Sequence, residues 1–217
     1  MSVVTQAGWY LDDARELADA APYTFYLPSA EVLQMLQPGD SVKLVFRCDV
    51  ENEHGYSAER MWVEITEIEG DEFRGRLDNE PLYIPDLAAD DEISFSSYHI
   101  IDTQLDDPVP NIASQYWQRC FVTGRVLYDE QPVGCLYRED PAASDGAPED
   151  FSGWNLIAGD EDDDYLDEPD NWHYVALGAV LNIDDRFIDL LEAPYDSEFE
   201  YDEDRQAFVE ILEDEYD

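Results

Sequence analysis

Apolar positions change their spacing several times along this chain, and each change marks an element. Between residues 14 and 21 they recur as Ala14, Leu17, Ala18 and Ala21, the spacing of one helix face, with Asp12 placed to cap its start. Ser29, just after Pro28, is placed to cap a second short helix carrying Val32, Leu33, Met35 and Leu36, which Pro38-Gly39-Asp40 ends. The period then drops to two. Val42, Leu44 and Phe46 alternate with Ser41, Lys43 and Val45, and residues 62–66 and 73–77 follow around a turn at Glu69-Gly70-Asp71, a meander of short antiparallel strands. Residues 81–85 and 92–95 add short extended pieces, and residues 104–111, QLDDPVPN, have the proline and acid content of a linker.

Past the linker, apolar strands are expected at 120–127 and 133–138. A loop rich in Ala, Pro, Asp and Gly over 140–152 leads to a strand at 153–158 and then to the densest acid run, 160–164. The remaining core segments are 175–183, 187–191 and 208–212, of which the middle one has helical spacing. No internal repeat is visible. The pattern predicts an α+β protein in two units: residues 1–111, mostly antiparallel β behind a helical leading segment, and residues 112–217, an acidic α+β unit.

Composition changes this picture through charge. The chain carries 54 acidic residues against 11 basic ones, a formal net charge of -43 over 217 residues. With 44% hydrophobic and 13% aromatic residues it still has the makings of a packed core, so the acids form a skin and not a disordered chain. Such a field repels nucleic acid and anionic membrane and attracts basic proteins. Residues 139–217 hold 28 acids and two cations, a net of -26, and residues 1–138 hold 26 acids and nine cations, a net of -17, so the acidic pole is C-terminal. Lys43 is the only lysine, and the ten arginines are expected in specific bidentate pairs with carboxylates. No segment approaches the roughly 20 apolar residues of a membrane span, and the N-terminus lacks a signal-peptide pattern. Cys48, Cys120 and Cys135 form no CxxC pair, as expected of reduced thiols in a soluble cytoplasmic protein.

Candidate chemistry is sparse. Asp160, Asp162 and Asp164 occupy the first, third and fifth places of an EF-hand loop, but Tyr165 stands where its glycine belongs and Asn171 where its glutamate belongs, so no metal is assigned. The three cysteines with His54, His99 and His173 show no nucleophile or zinc-ligand spacing, no Walker or GxGxxG loop is present, and no cofactor is implied. The chain is therefore read as a non-enzyme. Trp154, Tyr165, Trp172 and Tyr174 bracket the acid run, either as flat anchors for a partner or as core beneath the loop.

Two stretches go further. Val133-Gly134-Cys135-Leu136-Tyr137-Arg138-Glu139-Asp140-Pro141, then Ser152-Gly153-Trp154, Gly159-Asp160-Glu161-Asp162, Tyr165 and Pro169-Asp170-Asn171 resemble a bacterial immunity-protein domain family over roughly residues 117–217. Residues 59–66 and 75–81, with His99-Ile100-Ile101, are similar to a second small bacterial family of uncharacterised function over about residues 40–103. The first resemblance implies an antidote of a polymorphic-toxin or type VI secretion system, binding a cognate basic toxin or effector, a nuclease fitting the charge best, and neither nucleic acid nor membrane. The expected contact set is Asp160, Glu161, Asp162, Asp163, Asp164 and Tyr165, supported by Asp167 and Glu168. Arg138 and Glu139 are expected to form an ion pair that orders the loop. Two other readings of the charge remain beside this one: adaptation to high cytoplasmic salt with no dedicated partner, and an enzyme acting on a cationic or sugar substrate.

Overall fold

The chain divides into two units, Met1–Asn111 and Ile112–Asp217. The computed structural model describes residues 8–48, 55–84, 86–143 and 146–211; His54, Pro85 and Leu212, named above, lie outside them. Strands dominate both units and helices are short, which bears out the α+β class.

In the first unit the order is β1 (Tyr10–Leu11), α1 (Ala14–Ala20), α2 (Ala30–Met35), β2 (Ser41–Arg47), β3 (Ala58–Glu69), β4 (Glu72–Leu77), β5 (Glu92–Ser96) and β6 (Ile100–Thr103). Consecutive strands β1 to β5 pair in sequence order, and β6 returns to pair with β2, antiparallel throughout. The period-two positions Val42, Leu44 and Phe46 point into the main core with Met61, Val63, Ile65, Phe73, Ile93 and Phe95. Val45, on the opposite face, is buried too, because α1 lays Ala14 and Leu17 against it. That helix is capped by Asp13, whose carboxylate accepts the Arg15 N–H at 2.9 Å, and not by Asp12. Pairing of Tyr10 with Arg47 places Asp12 beside the Arg47 guanidinium, which takes the carboxylate through Nε at 2.8 Å and Nη2 at 2.7 Å. Ser29 caps α2 as expected, its Oγ accepting the Val32 N–H at 3.1 Å.

Residues 81–84 form no strand. The segment 104–111 is more than a linker, since the Asp107 carboxylate accepts the Tyr26 hydroxyl at 2.7 Å and the Ser29 hydroxyl and N–H at 2.6 and 2.9 Å. Burial opposes the charge on Asp107, but these donors outweigh it and hold the carboxyl far below its usual range.

The second unit runs β7 (Arg119–Thr123), α3 (Gly124–Leu127), β8 (Cys135–Arg138), β9 (Phe151–Ile157), α4 (Asp163–Leu166), β10 (Trp172–Ala176), α5 (Leu177–Leu181), β11 (Glu198–Asp202) and β12 (Ala207–Glu210). Its sheet has the order β10-β7-β9-β8-β11-β12, with β7 and β9 parallel and every other pair antiparallel. Two segments read as continuous are therefore divided: 120–127 is a strand that turns into α3, and 175–183 is the end of β10 followed by α5. Residues 187–191, read as helical, make only a single 3-10 turn at Ile188–Leu190, and 208–210 belong to β12. Strand β9 is the centre of the unit, with Trp154, Leu156 and Phe151 buried. Gly153 within it has φ +90°, and a Cβ there would sit on the Glu139 carbonyl oxygen, so only glycine lets β8 and β9 close.

The arginines meet the expectation of bidentate pairing most clearly at Arg186. Its Nε and Nη2 reach the two oxygens of buried Asp184 at 2.8 and 2.6 Å, and its plane lies 4.0 Å from the Tyr201 ring centre. Asp184 also accepts the Val133 N–H at 2.9 Å. Burial pushes against its charge, yet the Arg186 and Val133 donors keep its carboxyl below the ordinary value.

Candidate partner interface

The acid run leaves β9 through Gly159 and re-enters the sheet at β10, so both of its ends are anchored. Its carboxylates fall into three kinds: one turned inward, two engaged at the surface by a helix cap or an arginine, and the rest exposed. Glu161 turns inward: Oε1 accepts the Thr123 hydroxyl at 2.6 Å and the Ala158 N–H at 2.9 Å, and Oε2 accepts the Gly159 N–H at 2.7 Å. Burial raises its carboxyl, but these donors outweigh burial and leave it below the usual carboxylate value. Asp162 caps α4, accepting the Tyr165 N–H at 2.9 Å. Asp160 pairs with Arg125 at 2.7 Å, and that guanidinium also covers the Tyr165 ring at 5.0 Å. The third kind, Asp163, Asp164, Asp167 and Glu168, is exposed on and after α4.

The aromatics divide as well. Trp154 is core, 1% exposed, with its Nε1 donating to the Leu191 carbonyl at 3.3 Å. Trp172 is half-buried and its Nε1 donates to the Leu166 carbonyl at 2.9 Å, which ties α4 to β10. Tyr165 is half-buried and held by Asn171, which donates to its carbonyl at 2.9 Å. Tyr174 packs its ring 5.0 Å from that of Phe121 and donates its hydroxyl to Asp150 at 2.8 Å; burial and that carboxylate push it up to about 12.

Sequence reasoning placed none of the β7–α3 residues at this surface. Thr123, Arg125 and Tyr128 arrive there because β7 pairs with β10 and α3 follows it directly. Tyr128 is 68% exposed and meets His173 edge-on at 4.7 Å, while Gly124 lies close to both His173 and the Tyr165 hydroxyl. The only local signal for this meeting was Arg125, one of five arginines in an acidic half, each in need of a partner.

Arg138 and Glu139 do not pair with each other. Opposite sides of the strand separate them: Arg138 donates to the Ser152 and Ala193 carbonyls and lies 4.7 Å from the Tyr195 ring centre, whereas Glu139 accepts from Asn155 at 3.1 Å.

Cys120 and Cys135 are poorly suited to nucleophilic chemistry. Burial pushes Cys120 up to about 12, and burial with the nearby Glu198 pushes Cys135 up to about 11. His99 accepts the Ser96 N–H at 2.9 Å inside the first unit. Among the described residues no group of three His, Cys, Asp or Glu side chains is placed to hold a metal ion, and no helix is long and apolar enough to cross a membrane.

Comparison with known families bears out both resemblances. Residues 120–212 match the family described as Immunity protein Imm33 domain. Residues 27–107 match the family described as Uncharacterized protein conserved in bacteria (DUF2314), a span that reaches further towards the N-terminus than the motifs did and takes in α2. No curated protein and no solved structure matches the chain.

Proposed function

We propose that this chain is an immunity protein that binds and neutralises a cognate antibacterial toxin, a nuclease effector with a basic surface, without catalysis of its own. Similarity of residues 120–212 to an immunity-protein domain is the observation that carries this reading. Its mode of action rests on the division of labour in the acid run. Glu161 and Asp162 are spent on folding the loop, and Asp160 on Arg125, so Asp163, Asp164, Asp167 and Glu168 are the charges left to face a partner. Half-buried Tyr165 gives that face an apolar edge.

A nuclease must display cations where it holds the phosphate backbone, and a net charge of -43 draws such a surface in from a distance. Long-range attraction raises the association rate, and aromatic contacts slow dissociation. In the producing cell this takes place in the cytoplasm, against an effector delivered by a contact-dependent or type VI secretion system.

The test is co-expression with the toxin domain encoded beside this chain. Restored growth, a complex on a sizing column and an association rate that falls with added salt are expected. Continued killing with no complex would sink the proposal. The salt-adaptation reading makes the opposite demand, that the protein itself unfolds when salt is withdrawn.

A further inference from the structure

Among the described residues, one edge of the second unit's sheet is open: β10 pairs with β7 on one side and with no strand on the other, in an unbroken register from Trp172 opposite Thr123 to Ala176 opposite Arg119. The direction of each backbone group follows from the neighbouring bonds. Leu177 donates to the Gln118 carbonyl at 2.8 Å, so bonding alternates inward from that pair to Val175 with Cys120 and His173 with Val122. Arg119, opposite Ala176, donates instead to Asp150 on the β9 side. The N–H and C=O groups of Tyr174 and Ala176 therefore point away from β7, out of the sheet.

Proteins ordinarily blunt such an edge with lysine, proline, a charge or a bulge. β10, Trp-His-Tyr-Val-Ala, has none of these, and its five residues are all half-buried. The opposite edge strand, β12, has four residues and ends on Glu210. Charge decides what can lie against β10. Glu168 and Asp170 stand exposed just before it, and Asp150 holds the Tyr174 hydroxyl; one cation, Arg119, lies 5.0 Å from the Tyr174 ring centre and 3.9 Å from Asp150, so an approaching strand meets three carboxylates against one guanidinium. A second copy of this chain would bring the same acids against its own.

We infer that β10 is the seat of a basic extended segment of the toxin partner, which adds as a further strand to the sheet beside the acidic α4 face. This rests on the immunity reading and specifies how the partner is held. Backbone bonds to Tyr174 and Ala176 supply affinity, and Trp172 and Tyr174 flank the side chains of the added strand on one face. The α4 carboxylates steer the segment towards the edge.

Ala176 makes the inference testable without damaging the fold. Its φ is -65°, the angle that proline imposes, and its N–H plays no part in the β7 ladder, so Ala176→Pro removes one edge donor and little else. The probe is the catalytically inactivated toxin domain encoded beside this chain. Ala176→Pro should weaken its binding about tenfold by leaving a partner carbonyl unmet, with the salt dependence of association unchanged. In the wild-type protein, hydrogen exchange at the Tyr174 and Ala176 amides should be fast when free and slow in the complex, while His173 and Val175 are slow in both. Undiminished binding of Ala176→Pro, or fast exchange at Tyr174 within a formed complex, overturns this inference and leaves the immunity reading standing. Absence of any complex with the wild-type protein removes both. Protection of β10 in the free protein that grows with concentration, alongside a dimer on sizing, assigns the edge to a second copy and also overturns it.

Discussion

Replacing Glu161 by alanine removes the acceptor for three donors at once. The Thr123 hydroxyl lies on a residue with no exposed surface, the Ala158 N–H is half-buried, and the Gly159 N–H is exposed and regains water when the carboxylate goes. Stranding a buried donor costs about 1–3 kcal/mol, and the half-buried second donor adds a part of that, so the substitution should cost about 2–4 kcal/mol. Native-state hydrogen exchange reads this unit by itself, which matters because a two-unit chain has no single unfolding free energy. Protection of the Val122 and Leu156 amides should fall roughly 30- to 1,000-fold. A fall of less than about threefold would refute the claim that Glu161 folds the loop. Acid should show the same linkage. Because the folded carboxyl lies below its ordinary value of 4.5, its stabilisation is complete above that pH and is lost as pH falls through the folded value. Glu161→Gln should abolish that part of the acid dependence. Asp163→Ala, at an exposed site, should change stability by less than about 0.5 kcal/mol and act only on partner association.

Arg186→Ala should destabilise the second unit by about 3 kcal/mol, read as faster hydrogen exchange of its sheet amides, because it leaves buried Asp184 charged and without its ion-pair partner; Arg186→Lys should recover little, having no fork to match both carboxylate oxygens. Gly153→Ala should cost more than about 2 kcal/mol, whereas Gly146→Ala, at φ +85° in open space, should cost about 1 kcal/mol, a comparison that thermal melts can make. Burial holds His99 below its ordinary value of 6.5, so its neutral form is favoured by folding. The first unit should thus lose stability as pH falls below about 6.5, a slope that hydrogen exchange of β2 amides should report and that His99→Gln should flatten.

Much of the local structure was legible from residue order. Ser29 before an apolar run announced α2, and the apolar period of two at Val42, Leu44 and Phe46 announced β2, because caps and side-chain periodicity are properties of adjacent residues. Where the reading missed, a partner distant in sequence had overridden the local signal. Asp12 lost the cap of α1 to Asp13 because strand pairing put Arg47 beside it, 35 residues away. The apolar spacing of 187–191 became one 3-10 turn, since packing of Phe187 into the core decided the path. Arg138 looked like the natural mate of its neighbour Glu139, but successive strand residues face opposite ways, and each found carbonyl or amide partners elsewhere.

By itself, the sequence determined that this chain would have a core under an acidic skin, that its acids would gather after residue 139, and that its second half carries the motifs of an immunity-protein domain. These are matters of composition and local order. Only the tertiary structure decided which carboxylates are spent and which are free. It brought Thr123 and Arg125 to Glu161 and Asp160 across nearly forty residues of chain, and it left β10 on the rim of its sheet with one side unpaired among the described residues. Strand order and side-chain pairing across a sheet depend on contacts between distant residues, for which an unbroken run of letters holds no local sign.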